Sequence, residues 1–85
     1  MARIPSDALD AIERVLAYRA RAVDELPGCE VWPTRTAEHH VRKALGHVLE
    51  WQSGVNCDHE TGEDPLAHAA ARLLFALALR ERRRS

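Results

Sequence analysis

Apolar residues recur at the spacing of an α-helix in three stretches of this 85-residue chain. The first stretch follows Ser6 and Asp7, either of which can cap a helix. It predicts a helix that ends near Glu25, before Pro27-Gly28. The loop that follows contains Trp32, and we expect this large side chain to fold back onto the core.

The second and third stretches are separated by a polar loop. The second helix is predicted to begin at Thr34 or Thr36 and to end near Gly54, which favours a left-handed backbone. Asp64 and Pro65 then supply the cap and the first residue of the third helix. That helix is apolar nearly all round, so we expect it to be the buried one.

Three short helices make a thin hydrophobic core. A chain of this length forms one domain and buries only about 60–65% of its unfolded surface. Since no disulfide framework is evident, we expect self-association to supply further burial. The sequence therefore predicts an all-α fold: one domain over residues 1–85, a three-helix antiparallel unit that packs as a helical-bundle homo-oligomer.

The composition bears on whether the protein binds nucleic acid or membranes and on where it is located. Lys+Arg is 12 and Asp+Glu is 13, a net charge of −1 that makes nucleic acid an improbable partner. No apolar run approaches the roughly 18 residues of a membrane span, and the first ten residues lack a signal-peptide core. Cys29 and Cys57 have no CxxC partners and are interpreted as reduced thiols. These features predict a cytoplasmic protein that does not bind membranes.

All five histidines lie within residues 39–68. On the second helix, one stripe carries His40, Lys43, His47 and Glu50. On the third helix, His68 and Arg72 lie one turn apart. An antiparallel hairpin brings the end of the second helix beside the start of the third, so we expect a cluster at one end of the bundle. Its members are His47, Glu50, Asp58 and His68.

Two interpretations of this cluster are open. Asp58, Glu60 and Glu50 suit a divalent cation such as Mg²⁺, which prefers oxygen ligands, and the histidines would then contact phosphates or stack on a base. Alternatively, His47 and His68 only hydrogen-bond the Asp58 loop and hold it in place. The chain contains no P-loop, GxSxG, HExxH or dinucleotide fingerprint.

Three segments resemble a phage-encoded family described as dATP/dGTP diphosphohydrolase-like. They are His47-Val48-Leu49-Glu50-Trp51-Gln52-Ser53-Gly54, Asp58-His59-Glu60-Thr61-Gly62 and Leu66-Ala67-His68-Ala69-Ala70. The family's pattern is H-L-x-x-W-x-x-G-E, D-P-E-T-G and H-L-A-H-A-A, and the likeness covers roughly residues 9–80. Its departures include Val55 in place of an acid, Pro65 in place of a histidine and His59 in place of a proline.

The resemblance implies a small all-α protein that handles purine deoxynucleotides in the cytoplasm of a phage-infected bacterium. The matching positions are His47, Trp51, Asp58, Glu60, Thr61, Gly62 and His68. In an enzyme, His47, Asp58 and His68 would be catalytic, and Asp58, Glu50 and Glu60 would hold Mg²⁺ or another divalent metal. The nucleotide would contact His40, Lys43, His47, Trp51, Thr61, Gly62, His68 and Arg72. The products would be a nucleoside monophosphate and pyrophosphate.

Two other functions stay open. A non-catalytic protein with the same pocket would need no metal and would sequester a nucleotide-derived immune signal, which is an anti-defence role for a phage. A helical interaction module would use the loop residues only to stabilise the hairpin.

Overall fold

The computed structural model describes residues 3–23 and 32–84, with the backbone alone for residues 20–23. Helix α1 spans Ser6–Val23, α2 spans Ala37–Gln52 and α3 spans Pro65–Arg84, and a short 3₁₀ turn covers Trp32–Thr34. No strand occurs in these two ranges, so the all-α prediction is confirmed. The predicted end of the first helix at Glu25 and the thiol of Cys29 lie outside the described residues.

The helix ends are set by the residues that the sequence singles out. The Thr36 side chain caps α2 by accepting a hydrogen bond from His39 N–H at 3.0 Å. After α2, Gly54 adopts φ +99°, a left-handed conformation that glycine tolerates best. Asp64 Oδ1 accepts from Leu66 N–H at 2.8 Å and caps α3, whose first residue is Pro65. These predicted ends are confirmed.

Helices α2 and α3 form an antiparallel hairpin. The ring of His47, late in α2, stacks on that of His68, early in α3. The ring of His40, early in α2, meets Phe75 farther along α3. Among the described residues, α1 contacts α3 and not α2. Val15 of α1 is buried against Ala67 and Ala71, which are small enough to let the two helices approach closely.

Helix α3 is the most buried of the three helices over the described residues, as predicted, but it is not covered on all sides. Its buried positions are mostly alanines together with Phe75, because α1 and α2 both pack against its small-residue faces. Four leucines on its other side are 41–53% exposed: Leu66, Leu73, Leu74 and Leu77. Helix α2 likewise exposes Val41, Leu45 and Leu49. The two helices therefore carry an apolar surface that the described residues do not cover.

Trp32 folds back onto α3, as its size predicts. Its ring stacks on that of Phe75, with centroids 4.8 Å apart and planes 9° apart. Arg82, which also belongs to α3, places its guanidinium 4.8 Å from the Trp32 ring centroid. The described helices include none with the length and apolar character required to cross a membrane.

Candidate functional site

A compact turn between α2 and α3 is organised around Asp58. Its Oδ1 accepts from the backbone N–H groups of Glu60 at 2.8 Å and Thr61 at 3.0 Å. Its carbonyl accepts from Gly62 N–H at 2.7 Å, and Gly62 adopts φ +76°. These bonds close a tight turn that ends on a left-handed glycine. The Oδ2 atom is the Asp58 oxygen that these two bonds leave available.

Helix α1 holds the outer side of this turn. Arg14 Nε lies 3.0 Å and 3.1 Å from the two carboxylate oxygens of Glu63. The Tyr18 hydroxyl donates to Glu60 Oε1 at 3.4 Å. The Glu60 carboxylate therefore faces α1.

His68 stands between the turn and α2. Its Nε2 lies 2.7 Å from Thr61 Oγ1, and Thr61 Oγ1 accepts from Glu63 N–H at 3.1 Å. A threonine hydroxyl has one hydrogen and two acceptor positions, so the direction of the bond to His68 Nε2 follows the tautomer of His68. The His68 ring stacks on that of His47, with centroids 4.8 Å apart.

Two groups of the site have shifted pKa values. Burial and then the nearby charge of His47 lower the pKa of His68, so its ring is neutral at physiological pH. Burial by itself would raise the pKa of Asp58. The two backbone hydrogen bonds in the turn and the charge of His68 outweigh that effect and lower it, so the carboxylate stays ionised.

Three possible metal ligands converge beside this pair. One donor atom each from His47, Glu50 and Asp58 lies within 4.8 Å of the other two. His47 Nδ1 approaches Glu50 Oε1 to 2.9 Å, close enough for an ion pair. Yet this buried nitrogen has no hydrogen-bond partner among the described residues. The distance alone does not establish a hydrogen bond, so we regard the pair as a close but misaligned approach.

That approach fits a shared cation. Two ligands each about 2.1 Å from one ion, at right angles, lie about 3 Å apart. The sequence predicts Glu50, Asp58 and Glu60 as metal ligands. The three donors that converge include Glu50 and Asp58, and the third is His47 rather than Glu60. One imidazole nitrogen and two carboxylates suit a first-row divalent ion such as Mn²⁺ as well as Mg²⁺.

His40 and Arg72 form a second polar group on the hairpin. His40 is completely buried, and its Nε2 lies 3.0 Å from the Trp32 carbonyl oxygen. Nε2 therefore carries the proton, and Nδ1 accepts from Arg72 at 3.2 Å. Burial, followed by the charges of Arg19 and Arg35, lowers the pKa of Arg72 from its ordinary high value. Both ring nitrogens of His40 are occupied, so it positions Arg72 rather than facing solvent.

A family model described as dATP/dGTP diphosphohydrolase, N-terminal, matches residues 1–85. The chain belongs to this family. No curated protein and no solved structure matches it. The resemblance drawn from the three sequence segments is confirmed.

Two of the residues predicted to contact the nucleotide lie outside the group of His47, Glu50 and Asp58. Lys43 and Trp51 are exposed on α2, and Trp51 directly follows Glu50. Sequence reasoning missed Arg19 and Arg35. Arg19 follows the buried Val15 by four residues, so helical spacing could have placed it towards α3. No comparable spacing signal marks Arg35, which follows the 3₁₀ turn.

Proposed function

We propose that this chain binds a purine deoxynucleoside triphosphate and takes part in its hydrolysis to the monophosphate and pyrophosphate. His47, Glu50 and Asp58 would hold the divalent cation that this reaction requires. The observation that carries the proposal is the convergence of donor atoms from His47, Glu50 and Asp58, in which the buried His47 Nδ1 makes no hydrogen bond. Membership of the dATP/dGTP diphosphohydrolase family supports the choice of substrate.

A bound divalent cation supplies charge neutralisation and Lewis acidity towards phosphoryl oxygens. Hydrolysis joins a water oxygen to the α-phosphorus and breaks the bond from that phosphorus to the oxygen bridging it to the β-phosphorus. In the tautomer whose Nε2–H donates to Thr61 Oγ1, the neutral His68 ring keeps an unprotonated Nδ1, and this nitrogen is the group that would take the water's proton. Thr61 fixes the orientation of that ring.

The proposed nucleotide contacts come from α2, α3 and the turn between them. Trp51 is 48% exposed beside Glu50, so its ring can stack on a purine. Lys43 and Arg72 offer charge to the phosphates, and His40 acts by holding Arg72 in place. Thr61 and Gly62 shape the wall of the turn.

Product analysis tests the proposal directly. The protein is incubated with dATP or dGTP in Mg²⁺, in Mn²⁺ or in a chelator, and the nucleotides are separated by chromatography. We expect monophosphate and pyrophosphate only with metal. Glu50→Gln should abolish their formation, whereas Glu38→Gln, which removes the same charge from the exposed first turn of α2, should not. Metal-independent turnover, or equal loss in both variants, would contradict the proposal.

A sequestering protein is the second candidate. Its support is that Val55 and Pro65 replace an acid and a histidine of the family's pattern, while Trp51 of the pattern is present and Arg72 offers charge to a phosphate. Such a protein would bind a purine nucleotide or a nucleotide-derived immune signal in an infected bacterial cytoplasm, with no metal required. It would raise the melting temperature on binding and release the nucleotide intact after denaturation. A third candidate, a helical interaction module, predicts no nucleotide-dependent change in melting temperature.

We also propose that the chain works as a homo-oligomer. The exposed stripe of Leu66, Leu73 and Leu77 on α3 recurs at helical spacing, and so does that of Val41 and Leu45 on α2. Arg80 of α3 lines a shallow groove with Val41 and Leu45, so this part of α3 lies beside the exposed stripe of α2. A second copy docking the same surface would complete a four-helix bundle.

A further inference from the structure

Three arginines lie on or next to elements that pack against each other at α3. Arg72 projects from α3, Arg35 follows the 3₁₀ turn and Arg19 belongs to α1. The charges of Arg19 and Arg35 are the ones that act on Arg72, together with burial, to lower its pKa. Three like charges repel one another, so their convergence has an electrostatic cost that a bound anion would offset.

Hydrogen bonds fix the backbone of Arg35 and the guanidinium of Arg72. The Trp32 carbonyl oxygen accepts from Arg35 N–H at 3.2 Å and from His40 Nε2 at 3.0 Å. The same His40 ring accepts from Arg72 through Nδ1. A single carbonyl and a single imidazole therefore connect Arg35 to Arg72.

Helix packing fixes the third position. Val15 is buried against Ala67 and Ala71 of α3, and Arg19 lies one turn beyond Val15 on the same face of α1. Arg19 therefore lies on the side of α1 that packs on α3, and its charge acts on Arg72. The charge of Arg19 also acts on His68, which puts it between the two polar groups of the hairpin.

No carboxylate within residues 3–23 and 32–84 pairs with any of these three arginines. The ion pairs of those ranges are Arg14–Glu63, His47–Glu50 and Arg84–Glu81. Arg35 is exposed and Arg19 and Arg72 are half-buried, so solvent reaches the group. Guanidinium groups without acidic partners, two of them half-buried here, are a typical receptor for phosphate oxygens.

We propose that Arg19, Arg35 and Arg72 form a phosphate subsite that holds the outer phosphates of a nucleoside triphosphate. This inference rests on the nucleotide-binding function proposed above and adds two residues to it. His68 and Arg72 are four residues apart on α3, about 6 Å along the helix axis. The subsite therefore lies one turn from the His47, Glu50 and Asp58 group, a separation that a chain of linked phosphates can span.

The test uses inorganic tripolyphosphate, which carries the phosphate chain without a base or sugar. Binding is measured by calorimetry in a chelator, so that no metal contributes. We expect the unaltered protein to bind tripolyphosphate, and Arg19→Gln and Arg35→Gln each to weaken binding about ten-fold, the order of one charge-assisted hydrogen bond. Arg83→Gln removes the same charge at the exposed end of α3 and should leave the affinity unchanged.

Further variants separate this subsite from the hydrolytic proposal. Arg35→Lys should recover part of the lost affinity because it keeps the charge but not the bidentate fork. Glu50→Gln should abolish hydrolysis and retain tripolyphosphate binding. Circular dichroism of each variant confirms that the helices are intact. Binding that depends on Arg19 and Arg35 without any hydrolysis would overturn only the enzymatic proposal.

Three results would overturn the subsite. One is an unaltered protein that does not bind tripolyphosphate. Another is unchanged affinity in both Arg19→Gln and Arg35→Gln. The third is an equal loss in Arg83→Gln, which would mean that only overall charge matters.

Discussion

At the scale of single residues, Asp58 has two separable tasks. Its Oδ1 organises the turn by accepting two backbone N–H groups, while its carboxylate also offers a ligand atom within 4.8 Å of those of His47 and Glu50. Asparagine retains a side-chain oxygen for the turn but has no charge. Alanine has neither, so the two substitutions distinguish the structural task from the metal-binding one.

We expect Asp58→Ala to lower the free energy of unfolding by about 1–3 kcal/mol, because two N–H groups of the turn lose their acceptor. Asp58→Asn should cost less than that and still abolish metal-dependent hydrolysis. Urea unfolding and product chromatography measure the two effects. If Asn and Ala reduce stability equally, the charge rather than the acceptor stabilises the turn.

The lowered pKa of His68 makes stability depend on pH. The unfolded ring, with an ordinary pKa near 6.5, binds a proton more readily than the folded one. The stability that the neutral His68 ring contributes is therefore complete above about pH 6.5. It is lost as the pH falls towards the pKa that the ring has in the folded protein. We expect the unaltered protein to be less stable at about pH 5.5 than at about pH 7.5 in urea unfolding.

His68→Gln should reduce that difference, since glutamine does not titrate. His59→Gln is the matched control, because His59 is exposed in the same loop region and should leave the difference as it is. An unchanged pH dependence in His68→Gln would assign the effect to other groups.

Much of the site follows from residue spacing, and part of it does not. The hairpin topology predicts that His47, Glu50, Asp58 and His68 meet, because ends of adjacent antiparallel helices lie together. The burial of His40 could not be predicted, since it depends on the Trp32 carbonyl in a turn with no periodic pattern. The position of Arg35 depends on that same carbonyl.

At the scale of helices and turns, local chemistry decides where each element begins. Thr36, Gly54, Asp64 and Pro65 act through their own backbone conformation or through atoms two or three residues away. Such local interactions can be predicted from the sequence. The buried face of α3 cannot be predicted in this way, because leucine and alanine are both apolar and only the positions of α1 and α2 distinguish them.

We expect Thr36→Ala to destabilise the protein by about 1 kcal/mol, because His39 N–H loses its capping oxygen. Thr36→Ser keeps a hydroxyl and should stay close to the unaltered protein. Thermal or urea unfolding followed by circular dichroism measures both. Equal effects of Ala and Ser would show that the methyl group of Thr36, not its hydroxyl, matters.

At the scale of the whole molecule, the distribution of leucine implies a missing contact. The core of the described residues is built largely from alanines with Val15 and Phe75, while the larger aliphatic side chains of α2 and α3 remain exposed. Covering those side chains offers about 25 cal/mol for each Å² of apolar area removed from water. Self-association is the simplest means of gaining that energy for a short chain.

We expect sedimentation to give a mass of at least twice that of one chain. Leu45→Glu and Leu77→Glu should each shift it towards the monomer, because the new carboxylate would be buried without a partner in the interface. Leu9→Glu makes the same change on the exposed side of α1 and should leave the assembly intact. A monomeric unaltered protein, or equal dissociation by Leu9→Glu, would contradict the proposed interface.

The separate attachment of α1 has an evolutionary consequence. The three close metal-ligand donors belong to the α2–α3 hairpin, whereas Arg19 belongs to a helix that contacts α3 and not α2 within the described residues. Selection can therefore act on turnover and on ligand retention through different parts of the chain. Under the proposed functions, a hydrolase that lost one carboxylate of the hairpin would still bind phosphate. A few substitutions would then convert a protein that hydrolyses a nucleotide into one that sequesters it.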